Sequence, residues 1–191
     1  MSDSTVLQRP HAPAASLRVL RPVAITIALV ALIVASAYVS VPLPFSPVPM
    51  SMQSLAVLMA GIWAGPRIGA AACIAYLGLA VAGLPVLAGG AAVPGAALLA
   101  KPTFGYLAAF IPAAWVAGVL LRSVASRALG ALLALTAGHV VIFAGGVGYL
   151  ATLMPLGQAL AVGFAPFLVG SAVKILLGVA LAVATPARTL R

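Results

Sequence analysis

The chain has one acidic residue, Asp3, against ten Lys and Arg, and charged residues make up only 6% of its 191 positions. A soluble domain carries about 25% charged residues. With 64% hydrophobic residues, this composition excludes one and requires a protein embedded in a membrane. Other absences narrow the chemistry. The single cysteine, Cys73, lies in an apolar run and supports neither an internal disulfide nor a multi-cysteine metal site. There is no Gly-Lys-Ser/Thr phosphate loop, which excludes ATP hydrolysis by that route, and no His-Glu-x-x-His pattern for a catalytic metal. No apolar segment contains a carboxylate, so acid pairs and proton relays are missing and an autonomous ion-coupled pump is hard to build. Catalytic residues, metal ligands and cofactors are therefore not expected. A binding subunit energised by other proteins, or a facilitator, remains.

What the chain does have is long apolar stretches, at residues 22–41, 48–64, 66–83, 103–121, 128–153 and 160–184. Crossing about 30 Å of hydrocarbon takes roughly 17 to 25 residues, so each stretch is read as a span, the second and third near the lower limit. The expected fold is an all-α integral membrane protein, a six-transmembrane-helix bundle; a β-barrel would alternate over segments of about ten residues. Residues 1–21, with Asp3, Arg9, His11, Arg18 and Arg21 among Ser, Ala and Pro, are expected to be a disordered tail, and residues 22–191 a single transmembrane substrate-binding domain. The first apolar run is long enough to span and is read as a helix, not as a cleaved signal peptide.

Basic residues give the orientation. Arg9, Arg18, Arg21, Arg67, Arg122, Arg127, Arg188 and Arg191 all fall on one side of the six spans, and Lys101 alone falls on the other. The positive-inside rule then puts both termini in the cytoplasm, in a multi-pass protein of the cytoplasmic membrane. Because these charges are spread singly, a nucleic-acid partner is not expected.

Lys101 and Lys174 are left over. Lys174 lies within the last apolar stretch, where an ammonium costs about 3 kcal/mol on insertion scales. With no acidic residue nearer in sequence than Asp3, its counter-charge must come from a ligand, a partner subunit or backbone carbonyls. Ser171 stands one turn earlier beside Gly170, which puts hydroxyl and ammonium on one helix face. A helix starting at Leu160 would place Lys174 about 21 Å inward and one starting at Pro166 about 12 Å; the proline start is preferred. The alternative is a lysine that snorkels or caps carbonyls. Lys101, at the outer start of span four, can reach the same region or sit in the interface. Gln53 and Tyr76 offer hydrogen bonds at membrane depth, for a ligand or between helices. His139, beside Gly138, is more commonly a structural histidine than a ligand or proton carrier.

The outer connections are unusual. Residues 41–49 read VPLPFSPVP, a polyproline-like path, and residues 84–102 are long, apolar and glycine-rich. Irregular backbone at membrane depth is tolerated where it lines a cavity, so both segments are expected to fold over the outer mouth; the alternative is that they lie in the interface. In span one, Ala24 with Ala28 and Ala31 with Ala35 form small-xxx-small pairs, suited to close helix approach within the bundle or from a partner.

Taken in order, VPLPFSPVPMSMQ (41–53), GPRIG (65–69), GLPVLAGG (83–90), KPTFGY (101–106) and PFLVGSAVK (166–174) resemble the BioY family, the biotin-specific S component of energy-coupling factor (ECF) transporters. The blocks cover nearly the whole chain. The resemblance implies a six-helix bundle that binds biotin from outside, with a transmembrane T component and two ABC ATPases as partners. It implies that Lys174 meets the biotin carboxylate with Lys101 assisting, that Gln53, Ser171 and Tyr76 hydrogen-bond the ureido group, and that Phe45, Leu87, Gly89, Gly90, Phe104 and Tyr106 enclose the rings. It also implies that Ala24, Ala28, Ala31 and Ala35 face the T component. One departure stands out: where the family usually has Pro-Gly-Asp before this lysine, the chain has Val169, Gly170 and Ser171. The alternatives are an S component for another small anionic vitamin and, in a different class, a membrane-embedded hydrolase using Ser171 and Lys174.

Overall fold

The computed structural model describes residues 14–185, with side chains from Leu20 onward. Asp3, Arg9, His11, Arg188 and Arg191, and the side chain of Arg18, therefore lie outside the described residues. The fold is all-helical apart from a two-residue ribbon. Helix α1 (Ala14–Tyr38) leads into strands β1 (Ser40–Val41) and β2 (Met50–Ser51), which pair antiparallel. Helices α2 (Gln53–Ala64) and α3 (Pro66–Val81) follow, then a 3₁₀ turn (Ala88–Gly90) and the short α4 (Ala96–Leu99). The chain ends in α5 (Phe104–Ser123), α6 (Arg127–Leu150), α7 (Leu156–Gly163) and α8 (Phe167–Ala184).

Among the described residues, four helical segments are long and apolar enough to cross a membrane: Leu20–Tyr38 of α1, α5, α6 and α8. The second and third predicted spans are shorter helices, of 12 and 16 residues, or about 18 and 24 Å of rise. Helix α2 does not extend backward through the apolar run at 48–52: Pro49 disfavours helix at Val48, and Met50 and Ser51 pair with β1. Helix α1 begins at Ala14 rather than at Pro22, so the expected disordered tail is helical over residues 14–21. At the other end, the preferred proline start holds: Pro166 is the N-cap of α8, and the residues before it form the separate α7.

Helix α2 is apolar all round and is buried on nearly every face, as expected of a helix at the centre of a bundle. It packs against α1, α3, α5, α6 and α8. Glycines permit the closest of these contacts. A Cβ on Gly61 would fall on the Ala114 carbonyl of α5, and one on Gly69 of α3 would lie 2.7 Å from the Gly61 Cα. The α2–α3 corner is Gly65, at φ 86°, followed by Pro66 at the first position of α3. Beyond the far end of α8, Trp63 Nε1 donates to Thr185 Oγ1 and Arg127 donates to the Ala182 and Thr185 carbonyls, tying α2, α6 and α8 together.

The backbone approach at Gly61 leaves no side chain free to yield. Gly61→Ala is expected to destabilise the bundle by about 1–3 kcal/mol, seen as a lower melting temperature in detergent. Gly78→Ala, on an exposed part of α3 with nothing within 4 Å of a new Cβ, is the comparison and should be neutral or stabilising, by up to about 1 kcal/mol.

Candidate functional site

The bundle encloses a cavity of about 240 Å³ at the end where α2 and α8 begin. Helix α8 contributes Ser171 and Lys174 to its wall, β2 contributes Ser51, and the start of α2 contributes Gln53 and Ser54. Opposite them stand Tyr106, Leu107 and Phe110 of α5 and His139, Ile142 and Phe143 of α6. Both irregular connections form part of the enclosure, through Pro47, Val48 and Pro49 of the proline segment and Leu87, Ala88, Ala91 and Val93 of the glycine-rich one.

Lys174 is only 8% exposed. Its Nζ donates to the Ser51 carbonyl at 2.6 Å and to Ser54 Oγ at 3.1 Å. Capping of a carbonyl, the alternative weighed above, is thus part of what it does. An ammonium has three N–H donors, so these neutral partners use two and leave one for the cavity. They also leave the charge uncompensated, because no Asp or Glu occurs among the described residues. The bonds of Lys174 run to α2 and not to Ser171, so the Ser–Lys pair that a hydrolase would need is not formed. The close approach at Gly170 is made by Met50, whose Sδ would lie 2.8 Å from a Cβ there.

Gln53 and Tyr76 belong to one relay. The Ser51 hydroxyl donates to Gln53 Oε1 at 3.3 Å, Gln53 Nε2 donates to the Tyr76 hydroxyl at 2.7 Å, and that hydroxyl donates to the Val86 carbonyl at 3.2 Å. Tyr76 is fully buried behind Gln53 and does not line the cavity, so it orients the glutamine and anchors the glycine-rich connection. Further bonds fasten the enclosure in the same way. Tyr38 donates to the Pro85 carbonyl at 2.8 Å, Ser46 to the Val162 carbonyl at 2.7 Å and Tyr106 to the Gly163 carbonyl at 2.7 Å.

Of the residues singled out from sequence, Lys174, Lys101, Gln53, Ser171, Leu87 and Tyr106 come together on the cavity wall, with Lys101 exposed at its edge. Five others do not line it. Phe45 is 61% exposed, because the proline path presents Pro47, Val48 and Pro49 to the cavity instead. Phe104 packs edge-on against Tyr149 in a groove between α5 and α6 that is separate from the cavity. Gly89 and Gly90, at φ 72° and 76°, make the turn between the lining residues Ala88 and Ala91. Tyr76 is the fifth. Sequence reasoning missed Ser51, Ser54, Phe110, Ile142, Phe143 and Phe167. Ser51 acts through its carbonyl, which no side-chain pattern announces. Ile142 and Phe143, three and four residues after His139, follow from helical spacing once that histidine is known to face inward.

The four alanines of α1, Ala24, Ala28, Ala31 and Ala35, are exposed. The core-facing side of that helix is formed by Leu29, Ile33 and Ala37. The stripe is therefore not used for packing inside the bundle.

Removing the Tyr76 hydroxyl strands two buried partners, Gln53 Nε2 and the Val86 carbonyl. Tyr76→Phe should cost about 1–3 kcal/mol of stability, measured by thermal unfolding in detergent; an unchanged melting temperature would mean that the relay holds nothing.

Comparison with known proteins agrees with this architecture. A Rhizobium etli protein named biotin transporter BioY is 40% identical over 141 residues, covering 69% of this chain and 74% of that protein. A Thermotoga maritima protein of the same name is 36% identical over 153 residues, covering 80% and 88%. The crystal structure of the S-component for biotin from an ECF-type ABC transporter superposes with a TM-score of 0.77 at 27% identity, over 90% of this chain and 93% of that one. The family model described as the BioY family matches residues 8–191, and the chain belongs to that family.

Proposed function

We propose that this chain takes up biotin across the membrane as the biotin-capturing S component of an ECF-type transporter. It is a transport subunit and not an enzyme: its relatives are biotin transporters, and its structural neighbour is an S component for biotin. The observation that carries the reading on the chain itself is Lys174, a buried ammonium on a small cavity, held by neutral groups and lacking a carboxylate. A ligand with one carboxylate and an apolar body completes it. Biotin has a valerate carboxylate, an apolar thioether ring and a ureido ring.

In this reading the free N–H of Lys174 takes the carboxylate, with Lys101 drawing the anion in at the edge. Ser171 and the oriented Gln53 hydrogen-bond the polar ring. Leu87, Tyr106 and the lining aromatics Phe110, Phe143 and Phe167 enclose the apolar parts, while Gly89 and Gly90 shape the turn between the lining residues Ala88 and Ala91, and Phe45 and Phe104 take no part in the site. The helices α1, α2, α3, α5, α6 and α8 are the six spans, in the cytoplasmic membrane with both termini inside, which the distribution of arginines favours. Energy for uptake comes from a T component carrying two ATPases, since this chain has no phosphate loop. The exposed stripe of Ala24, Ala28, Ala31 and Ala35 is where the T component docks, because small residues allow close helix approach.

Calorimetry on the purified chain in detergent should show tight biotin binding with pantothenate and riboflavin inert; a stronger response to either control would point to a different vitamin. Lys174→Ala should weaken biotin binding at least about tenfold, or about 1.4 kcal/mol, and unchanged affinity would remove this lysine from the site. Ala28→Trp should lower uptake by the reconstituted transporter while leaving biotin affinity within about twofold. Full uptake by that variant would place the partner elsewhere.

A further inference from the structure

His139 lies in α6, is 4% exposed and lines the cavity. Its Nδ1 is 2.9 Å from the Leu135 carbonyl oxygen, one turn earlier in the same helix. A carbonyl only accepts, so Nδ1 carries a proton, and in the neutral ring Nε2 presents a lone pair. Nε2 is buried and has no hydrogen-bond partner among the described residues. Buried polar atoms are as a rule paired, and an exception on a cavity wall calls for an explanation.

The other polar side chains on the wall sharpen it. Lys174 only donates, and the Tyr106 hydroxyl donates to Gly163. Gln53 already has Ser51 as the donor to its oxygen and Tyr76 as the acceptor for its nitrogen. No carboxylate occurs among the described residues. The hydroxyls of Ser54, Thr103 and Ser171 on the same wall can turn to donate or accept, whereas His139 Nε2, fixed as an acceptor by the bond at Nδ1, is a buried acceptor without a donor among the described residues. Phe143, one turn on, continues its face of α6, with its ring 6.4 Å from the imidazole and packed edge-on against Phe164.

We infer that His139 Nε2 accepts a hydrogen bond from a ring N–H of the bound ligand, and that this bond selects cyclic ureas and amides over isosteres lacking that N–H. The inference rests on the biotin reading, in which the ureido ring supplies two such donors. A site built around a hydrogen bond rejects the analogue that cannot make it, because its own buried group is then left unpaired.

The test measures binding of biotin and its two mono-N-methyl ureido analogues to the full chain in detergent, for the wild type, His139→Phe and His139→Gln. Methylating one of the two nitrogens should weaken wild-type binding about tenfold or more. His139→Phe should weaken biotin by a similar factor but that analogue by less than about twofold, and His139→Gln, which keeps an acceptor oxygen, should recover most of the loss. Equal loss for all three ligands, or no loss of biotin affinity, overturns the inference. A second readout needs no variant at His139. In a His11→Gln background His139 is the sole histidine, and its ¹⁵N-labelled Nε2 resonance should move upfield on saturation with biotin. A resonance that stays in place overturns the inference even if both His139 variants misfold. Folded wild-type chain that binds no biotin overturns the biotin reading, and this inference with it; biotin binding without the coupling overturns the inference alone.

Discussion

A positive charge buried without an acid to meet it is the constraint around which the rest of this molecule is arranged. Lys174 lies seven residues into α8, about 10 Å from its start and about 15 Å from its end. From there its ammonium reaches the Ser51 carbonyl and the Ser54 hydroxyl, two neutral dipoles that satisfy hydrogen bonds and leave the charge. An ion in low dielectric is tolerable only when paired or well solvated by fixed dipoles, and this is the reason for proposing an anionic ligand at the remaining N–H. The family's usual aspartate three residues earlier would have neutralised part of that charge. Ser171 does not.

Strand β2 and the first turn of α2 supply those dipoles. Pro47 and Pro49 disfavour helix in the residues before them, and Met50 and Ser51 pair with β1, so the chain makes a short ribbon, presents the Ser51 carbonyl to Lys174 and then enters the buried helix. Irregular backbone near a membrane core must find partners for its carbonyls: Tyr38 and Tyr76 of the bundle donate to the Pro85 and Val86 carbonyls of the glycine-rich connection, while Tyr106 of α5 and Ser46 of the proline segment donate to the end of α7. The bonds that satisfy the backbone also hold the cavity wall in shape, the relay of Gln53 and Tyr76 among them.

Much of this was legible in the chain. The long apolar stretches gave α5 and α6 to within three residues at each end; the last one ran α7 and α8 together, and Pro166 gave the start of α8. Lys174 announced itself because an intramembrane cation has few structural reasons to exist. Other features were illegible for physical reasons. The polarity of residues 14–21 suggested a tail, but charge does not prevent a helix, and α1 begins at Ala14. The apolar run at 48–52 looked like membrane helix, but proline and strand pairing overrode hydropathy. The family resemblance implied Phe45 and Phe104 as ring contacts, yet a side chain's direction in an irregular segment, or the face it takes on a helix, depends on tertiary packing. His139 looked structural until the fold showed that one of its nitrogens had no partner.

The most direct test of the central role of the charge on Lys174 is a comparison of biotin with its methyl ester by equilibrium binding to the purified chain at neutral pH. The ester keeps both rings and the valerate chain and loses only the negative charge. If the buried ammonium is completed by the ligand's carboxylate, the ester binds at least about tenfold more weakly, the equivalent of one lost charge-assisted hydrogen bond. Equal affinity for acid and ester would contradict this, and would mean that Lys174 serves the fold through Ser51 and Ser54 alone.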